Sequence, residues 1–185
     1  LPAAAKKVAL AAGAKEKTTS VVNLVTDEAF PPQYQAAAME VLNQQVEGSG
    51  LIGFPLMKVK VSLLGGEVHE TDSNELAFRR AAADAFQEGL KAAGLALMEP
   101  IMQMEITTPE ENLGDIVADL QQRRATITET SVRGRSTVVK ALSPLATLFG
   151  YAGAIRSLSQ GRAACSMEPA AYGPAPKEVV DQFML

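Results

Sequence analysis

Apolar and polar positions alternate one by one across residues 57–63, with Val59, Val61 and Leu63 on one side and Lys58, Lys60 and Ser62 on the other. A period of two is the mark of a strand with one face in a core. From Phe78 the period becomes four, through Ala82, Phe86 and Leu90, which predicts one apolar face of a helix ending by Gly94. Upstream, residues 7–10 form a weak strand pattern, 13–19 a polar loop, and 20–25, rich in β-branched side chains, a second strand. Pro31-Pro32 opens a helix with Tyr34, Ala37, Ala38, Val41 and Leu42 on its apolar face, stopped by Gly48-Ser-Gly50. Gly65-Gly66 reads as a tight hairpin turn, so residues 67–71 are expected to return as a short strand bearing His69. Asp72 and Glu75 then resemble a capping box at the start of the Phe78 helix.

A second pattern begins after a junction at residues 95–100. Met102, Met104 and Ile106 alternate with Gln103 and Glu105. Thr108-Pro-Glu-Glu111 has the composition of a helix start, and Leu113, Ile116, Val117 and Leu120 follow at helical spacing. Arg123 and Arg124 complement the helix dipole at its C-terminal end. Strands at 125–130 and 136–142 flank an Arg133-Gly134 turn, a helix spans about 145–158, and a last strand occupies 163–167. The resulting order, βαββαβ, is that of a ferredoxin-like fold. The tail from Pro174 is amphipathic, with Val179, Val180 and Phe183 on one face. The fold class is α+β, in two domains.

Composition narrows the chemistry. The 185 residues are 47% hydrophobic and 21% charged, as in a globular protein with a core. Net charge is −4, so any RNA contact must be local rather than the product of a basic field. The single Cys165 excludes an intrachain disulfide and a cysteine metal cluster, and its setting reads as a buried strand position. No apolar run reaches the ~20 residues that span a bilayer. The chain begins at leucine, which suits part of something longer.

The one histidine, His69, stands among Glu70, Asp72 and Glu75. A metal site there would be carboxylate-rich, short of the nitrogen and sulfur donors that structural zinc prefers, and helix capping already employs Asp72 and Glu75. No metal site is assigned. Acid–base chemistry by His69 with Glu70 stays open as a small-enzyme reading, although strand neighbours point to opposite faces. No nucleophile elbow, phosphate-binding loop or dinucleotide fingerprint appears, and no catalytic residue is assigned. Arg133 and Arg135 flank a glycine turn, and Arg156 and Arg162 bracket a polar loop; both arrangements suit either plain solvation or approach to a phosphate backbone.

At Leu51-Ile-Gly-Phe-Pro55 and at His69-Glu-x-Asp-Ser-x-Glu-x-Ala-Phe78 the chain resembles the C-terminal part of elongation factor G, the translocation GTPase. The resemblance runs on through Glu99-Pro-Ile-Met102, Thr107-Thr-Pro-Glu-Glu111, Phe149-Gly-Tyr-Ala152 and Gln160-Gly-Arg162. It implies an elongated βαβ-type, ribosomal-protein-like domain IV over residues 1–97, a ferredoxin-like domain V over 98–170, and a C-terminal helix, 171–185, packing back on the first domain. It further implies a cytoplasmic, monomeric translation factor without membrane contact, whose partner is the ribosome. The tip of domain IV, with His69, Glu70, Asp72 and Asn74, would accompany the transfer RNA–messenger RNA pair in the decoding region. Arg156, Ser157 and Gln160 match positions that face large-subunit ribosomal RNA, and Arg133 and Arg135 join them as contact candidates. GTP and magnesium are expected only in a further domain of the parent protein, so no cofactor and no enzymatic activity are assigned to this chain. One departure stands out. Where the family has a Gly-Gln-Tyr-Gly-His-like tip loop, residues 1–5 read Leu-Pro-Ala-Ala-Ala. A divergent paralogue acting in ribosome recycling or regulation is therefore the alternative.

Overall fold

A computed structural model describes residues 7–12, 19–26, 28, 30–50 and 53–183. The expectations for residues 1–5 and for most of the 13–19 loop lie outside the described residues. The chain divides into two compact units, one up to Ala96 and one of Leu97–Gln182.

The first unit contains β1 (Lys7–Ala12), β2 (Ser20–Asn23), α1 (Pro32–Gly48), β3 (Val59–Gly65) and α2 (Glu75–Ala93). Its sheet has the order β1-β3-β2, with β3 antiparallel to β1 and parallel to β2. A parallel pair needs a crossover, and α1 provides it. β2 ends earlier than its β-branched run suggests, because the Asn23 Oδ1 accepts the Val25 amide at 3.0 Å and turns the chain. β3 starts only at Val59, since Lys58 has φ 55°. Val61 and Leu63 meet Ala38 and Leu42 of α1 and the whole period-four row of α2, Phe78, Ala82, Phe86 and Leu90, in one buried cluster with Phe30. Ser62, expected on the wet face, is also buried, as befits a central strand.

The hairpin expected at Gly65-Gly66 does not form. Gly65 is the last residue of β3, neither glycine has a positive φ, and residues 66–74 run as irregular chain and turn into α2. Gly66 is glycine for another reason: a Cβ there would lie 2.9 Å from the Phe30 ring. The capping box is also shifted. Asn74, not Asp72, is the N-cap of α2, its side chain accepting from the Ala77 amide at 2.8 Å.

The second unit contains β4 (Met98–Pro109), α3 (Leu113–Gln122), β5 (Thr126–Arg133), β6 (Ser136–Pro144), α4 (Tyr151–Leu158) and β7 (Ala164–Pro174), and α5 (Lys177–Phe183) follows. The sheet order β5-β6-β4-β7, antiparallel throughout, is the ferredoxin-like arrangement. Met104 and Ile106 from β4, Val139 and Ala141 from β6, Ile116 and Leu120 from α3, and Tyr151 and Ile155 from α4 form its core.

Several boundaries differ from expectation. Thr108-Pro109 continues β4 instead of capping a helix, and a 3-10 turn at Glu110–Asn112 leads into α3 with no side-chain cap. A second 3-10 turn, Leu145–Thr147, replaces the first part of the expected 145–158 helix. β7 runs on to Pro174, so the helix of the tail begins at Lys177. The arginines closing α3 are specific staples. Arg123 bonds Asp119 at 2.8 Å and the Thr147 carbonyl at 2.7 Å, and lies over the Tyr151 ring. Arg124, at φ 60°, grips both oxygens of the buried Glu99 carboxylate at 2.9 Å.

Two expectations follow for the first unit. Gly66→Ala forces an atom into the Phe30 ring, so chemical denaturation is expected to show a loss of about 1–3 kcal/mol; an unchanged midpoint would mean the ring has room to yield. The Arg79 guanidinium, bonded to Glu40 at 2.5 Å across α1 and α2, holds the Glu40 carboxyl below its ordinary value of 4.5. Because the folded value is the depressed one, the stabilisation is present above about pH 4.5 and is lost as pH falls through the folded value. The melting-temperature gap between wild type and Glu40→Gln should therefore be small but present at pH 7, the pair being exposed, and close on acidification.

Candidate functional site

The loop between β3 and α2 is exposed at its crest and anchored at its root. His69, Glu70 and Asp72 are all in solvent. Beneath them the Ser73 hydroxyl accepts the His69 amide at 2.7 Å, and the Ser73 amide donates to the His69 carbonyl at 3.3 Å, closing a five-residue ring of backbone. Tyr34 reaches from α1 to donate to the Ser73 carbonyl at 3.2 Å. Its ring stacks on Phe78 at 4.6 Å, and Phe30 lies 5.1 Å from the same Phe78. The crest is thus tied through Ser73 and Tyr34 to the core. What it offers to the surroundings is an imidazole, two carboxylates and, close by, the apolar Val68 and Leu76, the latter 76% exposed.

This geometry suits contact better than chemistry. Glu70 was expected to be separated from His69 by strand alternation; the loop is not a strand, yet no hydrogen bond or ion pair joins the two. Among the described residues no three His, Cys, Asp or Glu side chains converge closely enough to hold a metal ion. A cavity of about 270 Å³ at the C-terminal ends of α1 and α2 is lined by Ser49, Gln87, Leu90, Lys91, Gly94 and Leu95, none of them a candidate residue.

In the second unit, register fixes which candidates share an end of the sheet. Pro109 pairs with Ser136, and Thr107 with Ala164, so the β5–β6 turn and the chain entering β7 lie at the end where β4 finishes. Arg133 and Arg135 belong to that turn, whose Gly134 has φ 64°. Arg156 and Ser157 close α4 and Gln160 lies in the turn after it, at the same end. The first group sits at the turn between β5 and β6, and the second at the end of α4, ahead of β7 on the opposite edge of the sheet.

The cations there are not equivalent. Arg162 is paired with Glu111, and Arg133 lies 4.0 Å from Glu105, whereas Arg135 and Arg156 form no ion pair among the described residues. Lys140 is bonded to Glu129, which raises the pKa of one and lowers that of the other. Two exposed apolar side chains are not among the sequence-based contact candidates: Val132, 76% exposed beside Arg133, and Phe149, 81% exposed at the far end of the sheet. Their signal was available: Val132 departs from the apolar-inward alternation of β5, and Phe149 precedes a glycine at φ 74° that leaves it outside α4. Cys165 is half-buried on β7, and burial pushes its thiol up to about 11, in keeping with a structural strand position.

Two family descriptions match in succession, Elongation factor G, domain IV over residues 3–94 and Elongation factor G C-terminus over residues 96–183. Elongation factor G of Fervidobacterium nodosum is 42% identical over 169 residues, which are 91% of this chain and 24% of that relative. A crystal structure of a Thermus thermophilus protein is similar with a TM-score of 0.76 at 31% identity, covering 95% of this chain and 26% of the other. The chain belongs to the elongation factor G family, and spans about a quarter of the length of the relatives it matches.

If Asn74 is the cap, Asn74→Ala should cost about 1 kcal/mol in equilibrium unfolding of the chain, while Asp72→Ala should change little. The reverse order would return the capping role to Asp72.

Proposed function

We propose that this chain is the ribosome-contacting arm of a translational GTPase, with the first unit entering the decoding region beside the transfer RNA–messenger RNA pair and the second facing large-subunit ribosomal RNA. GTP hydrolysis, with its magnesium, belongs in this reading to further domains of the whole protein. The observation that carries it is the 66–74 loop: an exposed crest of His69, Glu70 and Asp72 above Asn74, immobilised from below by Tyr34 and Ser73. Such a loop presents side chains at a defined position, as a mechanical probe requires. Neither the family matches nor the geometry supports the small-enzyme or paralogue readings. No helix among the described residues is long and apolar enough to cross a membrane. Arg135 and Arg156, without an ion-pair partner among the described residues, are the candidate cations best placed for phosphate, the first next to Arg133 in sequence and the second close to Ser157 and Gln160.

In the full-length factor, His69→Ala should slow messenger RNA–transfer RNA movement, followed by a fluorescent messenger RNA in single-turnover kinetics. Ribosome-stimulated GTP hydrolysis should stay near the wild-type rate. Equal movement rates in wild type and variant would remove the tip role from His69.

A further inference from the structure

The turn that carries Gln160 is held in a conformation its sequence does not favour. α4 ends in a double hydrogen-bonded C-cap: the Gly161 amide donates to the Arg156 carbonyl at 2.8 Å, and the Gln160 amide to the Ser157 carbonyl at 3.4 Å. In such caps the residue in the left-handed region is ordinarily glycine. Here it is Gln160, at φ 53°, followed by Gly161 at φ 80°. A Cβ in that region is sterically disfavoured, so the surroundings must impose the conformation.

What imposes it is Ser159, which is fully buried. Its hydroxyl donates to the Ile155 carbonyl at 2.6 Å and accepts the Ala163 amide at 3.0 Å, spanning the strained pair from below. Asn112, buried at the start of α3, adds a bond to the Leu158 carbonyl at 3.2 Å. Arg162 closes the far side, pairing with Glu111 and donating to the Ser159 carbonyl at 3.4 Å. Ser159 and Asn112 are buried and cannot themselves be contacts; their effect is to hold the turn that carries Arg156, Ser157 and Gln160.

We propose that Ser159 is the positioning residue for the RNA contact of this turn, its buried hydroxyl holding Gln160 in the left-handed conformation that aims Arg156 and Gln160 outward. The inference rests on the contact reading given above, and its test separates the two.

The test measures binding of the 185-residue chain to purified large ribosomal subunits over a salt series, with amide exchange in the free chain. Arg156→Ala should weaken binding and flatten the slope of log affinity against log salt by about one, as loss of a phosphate contact does. Ser159→Ala should weaken binding about fivefold and flatten the slope to the same extent. The double variant should be little worse than Ser159→Ala alone. In the free chain Ser159→Ala should speed exchange of the Gly161 and Ala163 amides while Ile116 and Leu120 stay protected, which excludes general unfolding. Adding Gln160→Gly to Ser159→Ala should restore protection at Gly161 and the salt slope, because glycine adopts the left-handed region unaided. Unaltered exchange at Gly161 in Ser159→Ala, additive losses in the double variant, or an unchanged slope would each overturn the positioning role. No effect of Arg156→Ala would instead overturn the contact on which the role depends.

Discussion

The ring of Phe78 is where the first unit converges. Phe30 meets it from the β2–α1 connection and Tyr34 stacks on it from α1. Through these two rings the core reaches the surface, since Phe30 fills the space against Gly66 while the Tyr34 hydroxyl holds the Ser73 carbonyl. An exposed loop without a sheet partner normally has little to order it. This one is ordered because its two ends rest on the same aromatic cluster. The crest can be entirely wet and still be placed, which is the physical condition for an element that touches a large partner without enclosing any part of it.

The second unit meets the same requirement differently. At its candidate turn a buried hydroxyl and an amide do the holding, with bonds to backbone groups that α4 would otherwise leave open at its end. Elsewhere in this unit arginine is the structural residue. Arg123 closes α3 onto the 3-10 turn before α4, and Arg124 anchors the buried Glu99 carboxylate, so burial of that charge is offset by a two-pronged partner. Burial also pushes the Tyr151 phenol well above its usual range, consistent with a ring that serves the core beneath Arg123.

Periodicity made the cores legible. The four-residue row from Phe78 to Leu90 and the two-residue row from Met102 to Ile106 are buried as their spacing predicts, and the βαββαβ order implied the sheet arrangement found. What stayed illegible was decided by contacts between distant residues. Gly66 looks like a turn glycine until Phe30 is seen against it. Asp72, Ser73 and Asn74 are all capable caps, and only the closure of Ser73 onto His69 leaves Asn74 to do it. Thr108-Pro109 has the chemistry of a helix start, yet pairing with Thr137 and Ser136 keeps it in the sheet. The candidate residues were identified by resemblance and by type; that Arg133 and Arg156 lie at one end of one sheet follows only from register.

If an acidic chain is to meet RNA, as proposed, it has to place its positive charge selectively. Seven ion pairs among the described residues occupy Arg79, Arg80, Arg123, Arg124, Arg133, Lys140 and Arg162. Most of those pairs are solvent-exposed and add little stability, so their larger effect is to cancel long-range attraction to phosphate over the bulk of the surface. Among the candidate arginines, Arg135 and Arg156, each at a turn, are those without an ion-pair partner among the described residues, so a phosphate reaching either turn would find an uncompensated charge. A surface of this kind does not collect nucleic acid at random. On the proposed reading it would engage where shape brings those two turns against a backbone, and the turn bearing Arg156 is the one with a buried serine bonded on both sides of it.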